Sequence, residues 1–263
     1  MSKRATNKSV FFGVMQKIPV LTYHSIDASG SVISTDAATF RGQMKFLKSA
    51  GFNVVSLNDL TKNLRADKKL PTKTIVLTFD DGFQNFYSEA FPTLADYNFT
   101  ATVFLVAAHC EKYNDWDGNL PTLERRRLMS WNEIKELHRH GIEFGAHSLT
   151  HPDLTEIPLE EVRRELSESK TVIENKLGSA VEMFAYPYGK FNADVKRLTE
   201  QNYAAACSTN LGKVQERSDF YSLERVDTYY LKNERIFQSL ESFSFDRYLQ
   251  LRQAMRNLKR LFV

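Results

Sequence analysis

The chain reads Thr74-Ile75-Val76-Leu77-Thr78-Phe79-Asp80-Asp81-Gly82 at the point that decides its fold. The apolar and β-branched residues predict a buried β-strand, and that strand ends on two adjacent aspartates and a glycine. Neighbouring carboxylates repel each other, so the pair is tolerable when a cation or a proton takes up the charge. We therefore expect a cation site where this strand ends.

Two histidines supply further potential ligands, since His147 and His151 follow another short apolar run. Their spacing would align them on a helix, but the serine and threonine between them and Pro152 favour a helix start or a tight turn. Either arrangement lets both imidazoles reach one ion, and one carboxylate with two imidazoles is a common ligand set for a catalytic divalent metal. The alternative is a solvated Asp-Asp-Gly turn with two unrelated surface histidines. The buried strand and the two clusters together favour a metal-dependent hydrolase.

The two aspartates are expected to take different roles. Adjacent positions on a strand point to opposite faces, so Asp80 and Asp81 can share one site only if the chain bends there. Gly82 permits that bend because it lacks a Cβ atom. One carboxylate can then bind the metal while the other stays free to take a proton.

The fold class is predicted from seven short apolar runs, most of them separated by amphipathic helical stretches. The runs are Pro19–Tyr23, Phe52–Ser56, Ile75–Phe79, Ala101–Val106, Ile142–Gly145, Val181–Tyr186 and Ala204–Cys207. Alternating strands and helices predict a parallel sheet, and seven such units suggest an α/β barrel in a single domain. In such barrels the active site lies at the carboxyl ends of the strands. The unusual residues follow strand ends: His24, Asp80, Asp81, His147 and Pro187-Tyr188-Gly189.

Composition excludes some classes of protein and leaves others. The 263-residue chain has a formal net charge of +3, which is too small to indicate nucleic-acid binding. Cys110 and Cys207 belong to no Cys-x-x-Cys pair, so we expect buried free thiols in a reducing compartment. The apolar N-terminal run ends at Gln16-Lys17 without a cleavage site, and no stretch is long enough to span a membrane. These features predict a cytoplasmic protein.

The C-terminal segment reads as a basic amphipathic helix. One face is apolar, with Tyr248, Leu251, Met255, Leu258 and Phe262, and only Asp246 opposes the charge of Arg247, Arg252, Arg256, Lys259 and Arg260. This pattern indicates peripheral contact with an anionic membrane surface, which would be the inner face, or with a protein. The alternative is a last helix packed on the barrel or in a dimer. We expect an N-terminal extension over residues 1–18, a barrel over 19–245 and this helix over 246–263.

The motifs together resemble a known family. Thr78-Phe79-Asp80-Asp81-Gly82 followed by His147-Ser148-Leu149-Thr150-His151 resembles the polysaccharide deacetylases with a NodB homology domain, carbohydrate esterase family 4. The third family motif, Arg-x-Pro-Tyr-Gly, is matched in part by Ala185-Tyr186-Pro187-Tyr188-Gly189. The resemblance runs from about Pro19 to Asp227. The Tyr23-His24 pair and the Phe-Ala-Tyr-Pro-Tyr-Gly motif at residues 184–189 resemble the corresponding motifs of the poly-N-acetylglucosamine de-N-acetylases.

This resemblance implies a distorted (β/α)7 barrel that hydrolyses an N-acetyl group on an amino sugar. The sugar could be part of a free glycan, nucleotide-linked or lipid-linked, and the lipid-linked form becomes attractive if the C-terminal helix contacts a membrane. It implies a divalent metal, usually zinc, and the ligand set also suits cobalt, nickel or iron. Asp80 matches the general base, and Asp81, His147 and His151 match the metal ligands. The backbone N–H of Tyr188 would help to hold the developing oxyanion.

The chain departs from the family pattern at two places. Ala185 stands where the family has an arginine that pairs with the catalytic aspartate, and Arg225 is either its replacement or a surface ion-pair residue. The late motifs that supply the general acid are not recognisable, so His24 is the candidate acid, with a buried structural histidine as the alternative. Trp116 could stack on a sugar ring or anchor its loop. Two other functions stay open: a non-catalytic carbohydrate-binding barrel, and a deacylase of a non-sugar or O-acyl substrate.

Overall fold

The computed structural model describes residues 16–116 and 124–260. The strands are β1 (Val20–Tyr23), β2 (Ser25–Ile26), β3 (Ser34–Thr35), β4 (Asn53–Val55), β5 (Thr74–Phe79), β6 (Thr102–Leu105), β7 (Glu143–Ala146), β8 (Met183–Ala185), β9 (Ala205–Leu211) and β10 (Leu223–Asp227). The α-helices are α1 (Ala37–Ser49), α2 (Leu57–Arg65), α3 (Phe91–Tyr97), α4 (Trp131–Arg139), α5 (Leu159–Leu177), α6 (Ala193–Asn202), α7 (Glu234–Gln238) and α8 (Phe243–Arg260).

Seven parallel strands close into a ring, which confirms the predicted fold class. Going round the ring, the order is β1, β10, β9, β8, β7, β6 and β5, and β5 pairs back with β1 through Val20↔Val76 to Tyr23↔Phe79. One predicted ring strand is wrong, because β4 pairs only with the first half of β5 and lies outside the ring. Its place is taken by β10, which pairs with both β9 and β1.

Local sequence signals set several of the helix ends. Ser130 and Glu133 form a capping box at the start of α4, in which each side chain accepts a hydrogen bond from the other residue's backbone N–H. Helix α5 begins after Pro158 and ends at Gly178, whose φ of 71° continues the chain in the left-handed region.

The sheet has one apolar cluster on its outer face, under the helices, and another inside the ring. Side chains of β5 alternate between the two clusters. Ile75, Leu77 and Phe79 belong to the large cluster between the sheet and its helices, whereas Val76 belongs to the cluster inside the ring. Alternation along the strand then directs Thr78 and Asp80 towards the ring interior. Cys110 and Cys207 are buried free thiols, as the sequence predicts. None of the helices in the described ranges has the length and apolar character needed to cross a bilayer.

Both predicted terminal segments are tied to the barrel. The first fifteen residues of the predicted extension lie outside the described residues, but Ile18 is buried and pairs with Val214 across an isolated bridge. The C-terminal helix begins at Phe243, slightly before the predicted boundary at residue 246. Phe262, which the sequence places on the apolar face of this helix, lies outside the described residues.

Candidate metal centre and catalytic site

The bend predicted after β5 brings both aspartates to one site. Asp81 adopts a φ of 71° and Gly82 a φ of 72°, so the chain leaves the strand geometry directly after Asp80. The two carboxylates therefore share one end of the ring instead of pointing to opposite faces. Asp80 is 2 % exposed and Asp81 7 %, so neither charge is balanced by bulk water.

The loop that carries the two histidines is a tight turn. Ser148 and His151 both have positive φ, 64° and 67°, which costs about 1–2 kcal/mol for each residue with a Cβ atom. The buried carboxylate of Glu165 on α5 offsets this strain, because it accepts hydrogen bonds from the backbone N–H groups of Leu149 and Thr150 at 2.8 and 2.9 Å. Glu165 also accepts from the Thr150 hydroxyl at 2.7 Å, so α5 holds the loop by three bonds.

Asp81, His147 and His151 converge on one point. The Nε2 atoms of His147 and His151 lie 3.5 and 3.6 Å from Oδ1 of Asp81, and the potential ligand atoms of all three residues lie within 4.8 Å of one another. Tetrahedral zinc with ligand bonds of about 2.0–2.1 Å requires neighbouring ligands about 3.3–3.4 Å apart. The two distances from Asp81 to the imidazoles are close to this spacing, so the three side chains together could hold a divalent ion.

A hydrogen bond to His147, together with the burial of Asp81 and His151, favours a bound cation at this site. The Nδ1 atom of His147 lies 2.7 Å from the backbone carbonyl oxygen of Ala185, so Nδ1–H donates there and Nε2 keeps its lone pair for a metal. Burial lowers the pKa of His151 and raises the pKa of Asp81, because each isolated charge is costly in this site. A bound cation favours the ionised carboxylate and the neutral imidazoles.

Arg225 on β10 faces Asp80 across the ring. Its Nη1 and Nη2 atoms donate to the two carboxylate oxygens of Asp80, both at 2.7 Å, and its Nε donates to the backbone carbonyl oxygen of Ser208 at 3.0 Å. Burial opposes ionisation of Asp80, but the guanidinium charge outweighs that effect and holds the pKa of Asp80 below its ordinary value. Arg225 is only 2 % exposed, which rules out a surface ion pair. Asp80 is therefore ionised and oriented, and it stands apart from the three-ligand group.

His24 and Tyr188 border the same cavity. The Nε2 atom of His24 lies 3.9 Å from Oδ2 of Asp80, and its side chain is 23 % exposed, so it faces the cavity and is not a sealed core residue. Tyr188 has a φ of 58°, and its ring meets the ring of His151 at 4.7 Å between centroids. Burial raises the pKa of its hydroxyl to about 12, so the phenol stays protonated at neutral pH.

Trp116 forms one wall of the cavity instead of projecting into solvent. It is 7 % exposed and lies against His151 with 4.5 Å between ring centroids. His109 meets the other side of the indole at 5.5 Å, edge to face. Val32 and Ile33, from the turn that β2 and β3 flank, also line the cavity, and Ile33 packs against the apolar cluster that contains Trp116. The cavity is thus lined by carboxylates and by apolar side chains. This combination suits a ligand with both polar groups and carbon faces, such as a sugar ring.

Two groups that support the site, the Ala185 carbonyl and the Glu165 carboxylate, are not predicted from the sequence. The carbonyl of Ala185 carries no side-chain signal, so no pattern could have singled it out. Glu165 does leave a signal, because it falls on the apolar face of α5 with Val162, Leu166 and Ser169, where an unpaired carboxylate would be costly.

A parallel seven-stranded ring with a carboxylate–imidazole ligand group and a separate buried Asp–Arg pair defines a class, the metal-dependent hydrolases built on α/β barrels. The sequence profile of one family, described as polysaccharide deacetylase, matches residues 67–206, just over half of the chain. The chain belongs to this polysaccharide deacetylase family and is a hydrolase of the deacetylase type.

Individual relatives agree with this assignment. The chain is 26 % identical over 211 residues to Bacillus subtilis YxkH, itself assigned to the polysaccharide deacetylases. The aligned region covers 80 % of this chain and 71 % of the relative. It is 24 % identical over 172 residues to the poly-β-1,6-N-acetyl-D-glucosamine N-deacetylase of Staphylococcus aureus, covering 61 % of this chain. The match spans only 56 % of that relative's length. For the Escherichia coli enzyme of the same name, the share of its length is 20 %.

Solved structures show the same fold. The deacetylase PplD of Streptococcus pyogenes, determined with acetate, superposes with a TM-score of 0.72 at 25 % identity, covering 81 % of this chain and 92 % of that one. IcaB of Ammonifex degensii superposes with a TM-score of 0.70 at 20 % identity, covering 87 % and 97 %. The second likeness concerns the fold alone.

Proposed function

We propose that the protein hydrolyses the N-acetyl group of an N-acetylglucosamine unit in a glycan, using one divalent ion, with zinc as its native metal. The observation that carries the proposal is the separation of the two adjacent aspartates. Asp81 faces two imidazole nitrogens at 3.5 and 3.6 Å, whereas Asp80 is held at 2.7 Å by both arms of Arg225. One carboxylate is thus available to a metal and the other to a proton.

The proposed ligands of the ion are Asp81, His147 and His151. When bound, the ion would polarise the acyl carbonyl as a Lewis acid and lower the pKa of the attacking water. The rest of the chemistry is assigned to the side chains. Asp80, ionised beside Arg225, takes a proton from the attacking water, and the backbone N–H of Tyr188 donates to the oxyanion that develops on the carbonyl.

The amine leaving group needs a proton, and His24 is the proposed donor. Its Nε2 lies near Asp80 on the open side of the cavity, where an amide nitrogen can approach. Cleavage of the C–N bond then yields acetate and a free amine. No other histidine lines the cavity among residues 16–116 and 124–260, apart from the two proposed ligands.

This role predicts that a His24→Gln enzyme depends on the leaving group. We expect its kcat to fall about 100-fold or more on an N-acetylglucosamine oligomer, because an amine is expelled only after protonation. On an aryl acetate the expected fall is below about threefold, since a phenolate leaves without a proton. The pair of substrates is compared by steady-state kinetics, with His140→Gln on the exposed end of α4 as the matched control. Equal falls on both substrates would assign His24 a structural role.

The substrate is tested by acetate release. Purified protein loaded with zinc is given oligomers of β-1,6-linked N-acetylglucosamine, and new amines are counted beside the acetate. The proposal expects one amine for each acetate. Release from an O-acetylated sugar but not from the N-acetylated one would favour the O-acyl alternative. If no acetate is released from any acylated sugar although the ion is bound, the result would favour a non-catalytic barrel that only binds carbohydrate.

The non-catalytic alternative is not favoured by the site, because all three candidate ligands and the paired carboxylate are retained in one cavity. A cytoplasmic location is proposed as well, and the two unpaired buried thiols support it.

A further inference from the structure

The C-terminal helix α8 turns one apolar stripe to the barrel and another to solvent. Phe245 and Leu249 are 1 and 2 % exposed and pack into the core. Leu251, Met255 and Leu258 are 66, 52 and 55 % exposed and fall within one sector of the helix at three- and four-residue steps. These three residues are here called the outer stripe, and none of them is among the buried or partly buried residues of the large apolar cluster.

The charges of α8 divide in the same way. The one acidic residue of the helix, Asp246, forms salt bridges with Lys17 at 2.8 Å and Lys213 at 2.7 Å. Its charge is therefore neutralised on the side of the helix that faces the barrel. Arg247 and Lys259 are exposed on the outward side, and no carboxylate of the helix opposes them. The outer stripe is therefore flanked by uncompensated positive charge.

The helix also reaches the rim of the cavity. Arg256 donates from Nη1 to the backbone carbonyl oxygen of Thr209 at 2.7 Å, and Nη2 lies 3.3 Å from the Thr209 hydroxyl. Thr209 itself lines the cavity, beside Gly189. Arg256 lies on the barrel side of α8, so a surface that meets the outer stripe would lie one helix diameter, about 10 Å, from this part of the cavity rim.

We propose that α8 docks the protein on an anionic phospholipid bilayer through the outer stripe, with the cavity opening beside the contact. An apolar stripe flanked by basic side chains is the pattern of helices that lie in the membrane interface. The substrate would then be an N-acetylated amino sugar carried at the membrane surface, and this second part rests on the proposed deacetylase function.

A second copy of the chain fits the stripe less well. A two-fold interface centred on the outer stripe would bring Arg247 of one copy against Lys259 of the other, which places like charges together. Because no acidic residue of α8 points outward, that contact would have nothing to neutralise it.

Vesicle flotation tests the docking. The full chain is mixed with vesicles of phosphatidylcholine, with or without about 30 % phosphatidylglycerol. We expect flotation only with the anionic vesicles, and at least tenfold less bound protein for the triple variant Leu251→Gln/Met255→Gln/Leu258→Gln. The matched control is Leu159→Gln, an exposed leucine on α5, which should float like the wild type. A wild type that stays at the bottom of the gradient overturns the docking. So does a wild-type dimer that the triple variant converts to a monomer.

Activity of the same variants tests the substrate. On a soluble N-acetylglucosamine oligomer the triple variant should match the wild type within about twofold, because the outer stripe lies outside the cavity. On N-acetylglucosamine linked to a dialkylglycerol in anionic vesicles it should be at least tenfold slower. Equal rates on the vesicle-borne sugar would overturn the substrate assignment. A wild type that floats but releases no acetate from the soluble oligomer would instead refute the deacetylase function and leave the docking standing.

Discussion

Asp80→Asn protein is expected to bind one divalent ion as the wild type does and to release acetate at least about 100-fold more slowly. The asparagine keeps the shape of the side chain and can still accept a hydrogen bond from Arg225, but it cannot take a proton from water. The ligand group is untouched, because Oδ1 of Asp81 is the oxygen that faces His147 and His151. Rate and metal content are measured on the same preparation.

The matched control for this variant is Asp194→Asn, which removes an exposed carboxylate that pairs with Arg197 on the surface of α6. Its rate should stay within about twofold of the wild type, since exposed pairs contribute little. Full activity in Asp80→Asn would refute the base. A loss of activity together with loss of the ion would show that Asp80 is a ligand.

The second large effect is expected from Arg225→Met, which should lower the free energy of unfolding. Removing the guanidinium leaves Asp80 ionised and buried without its partner, which costs about 3–5 kcal/mol of unfolding free energy. Asp80 is ionised in the folded protein because of Arg225, so the pKa of Asp80 should rise in this variant, and its stability should recover as the pH falls. Denaturant unfolding at pH 5 and pH 8 measures both effects.

A double variant separates charge from packing. Arg225→Met combined with Asp80→Asn removes both charges, and we expect it to regain most of the lost stability, because the cost lies in the unpaired carboxylate. Arg197→Met, on the exposed pair of α6, should change the unfolding free energy by less than about 1 kcal/mol. If the double variant is as unstable as Arg225→Met alone, the loss comes from the packing of the arginine and not from its charge.

The fold and the grouping of Asp81, His147 and His151 could be predicted because their signals are local. The β5 strand, the bend after it and the His-x-x-x-His spacing each occupy a few neighbouring residues. The wrong strand assignment has a physical reason as well. Leu223–Asp227 contains Glu224, Arg225 and Asp227, so it lacks the apolar run of a buried strand. The guanidinium of Arg225 is inside the ring because Asp80 needs a counter-charge there.

The loop conformation could not be predicted for a different reason. Positive φ at Ser148 and His151 is unfavourable for both residues, and it is the hydrogen bonds from the Leu149–Thr150 backbone to Glu165 that stabilise it. Such contacts join residues far apart in sequence and depend on how α5 packs on the ring. The same is true of the hydrogen bond from His147 to the carbonyl of Ala185.

Metal titration of the apo protein tests the central claim most directly. The ion is removed by chelation, zinc is added back in fractions of an equivalent, and acetate release from the N-acetylglucosamine oligomer is followed at each step. Because the site holds one group of three candidate ligands, the rate should rise linearly and stop rising near one equivalent, and Asp81→Ala should stay inactive throughout. A metal-free protein that works at the full rate, or an Asp81→Ala protein restored by zinc, would contradict the account.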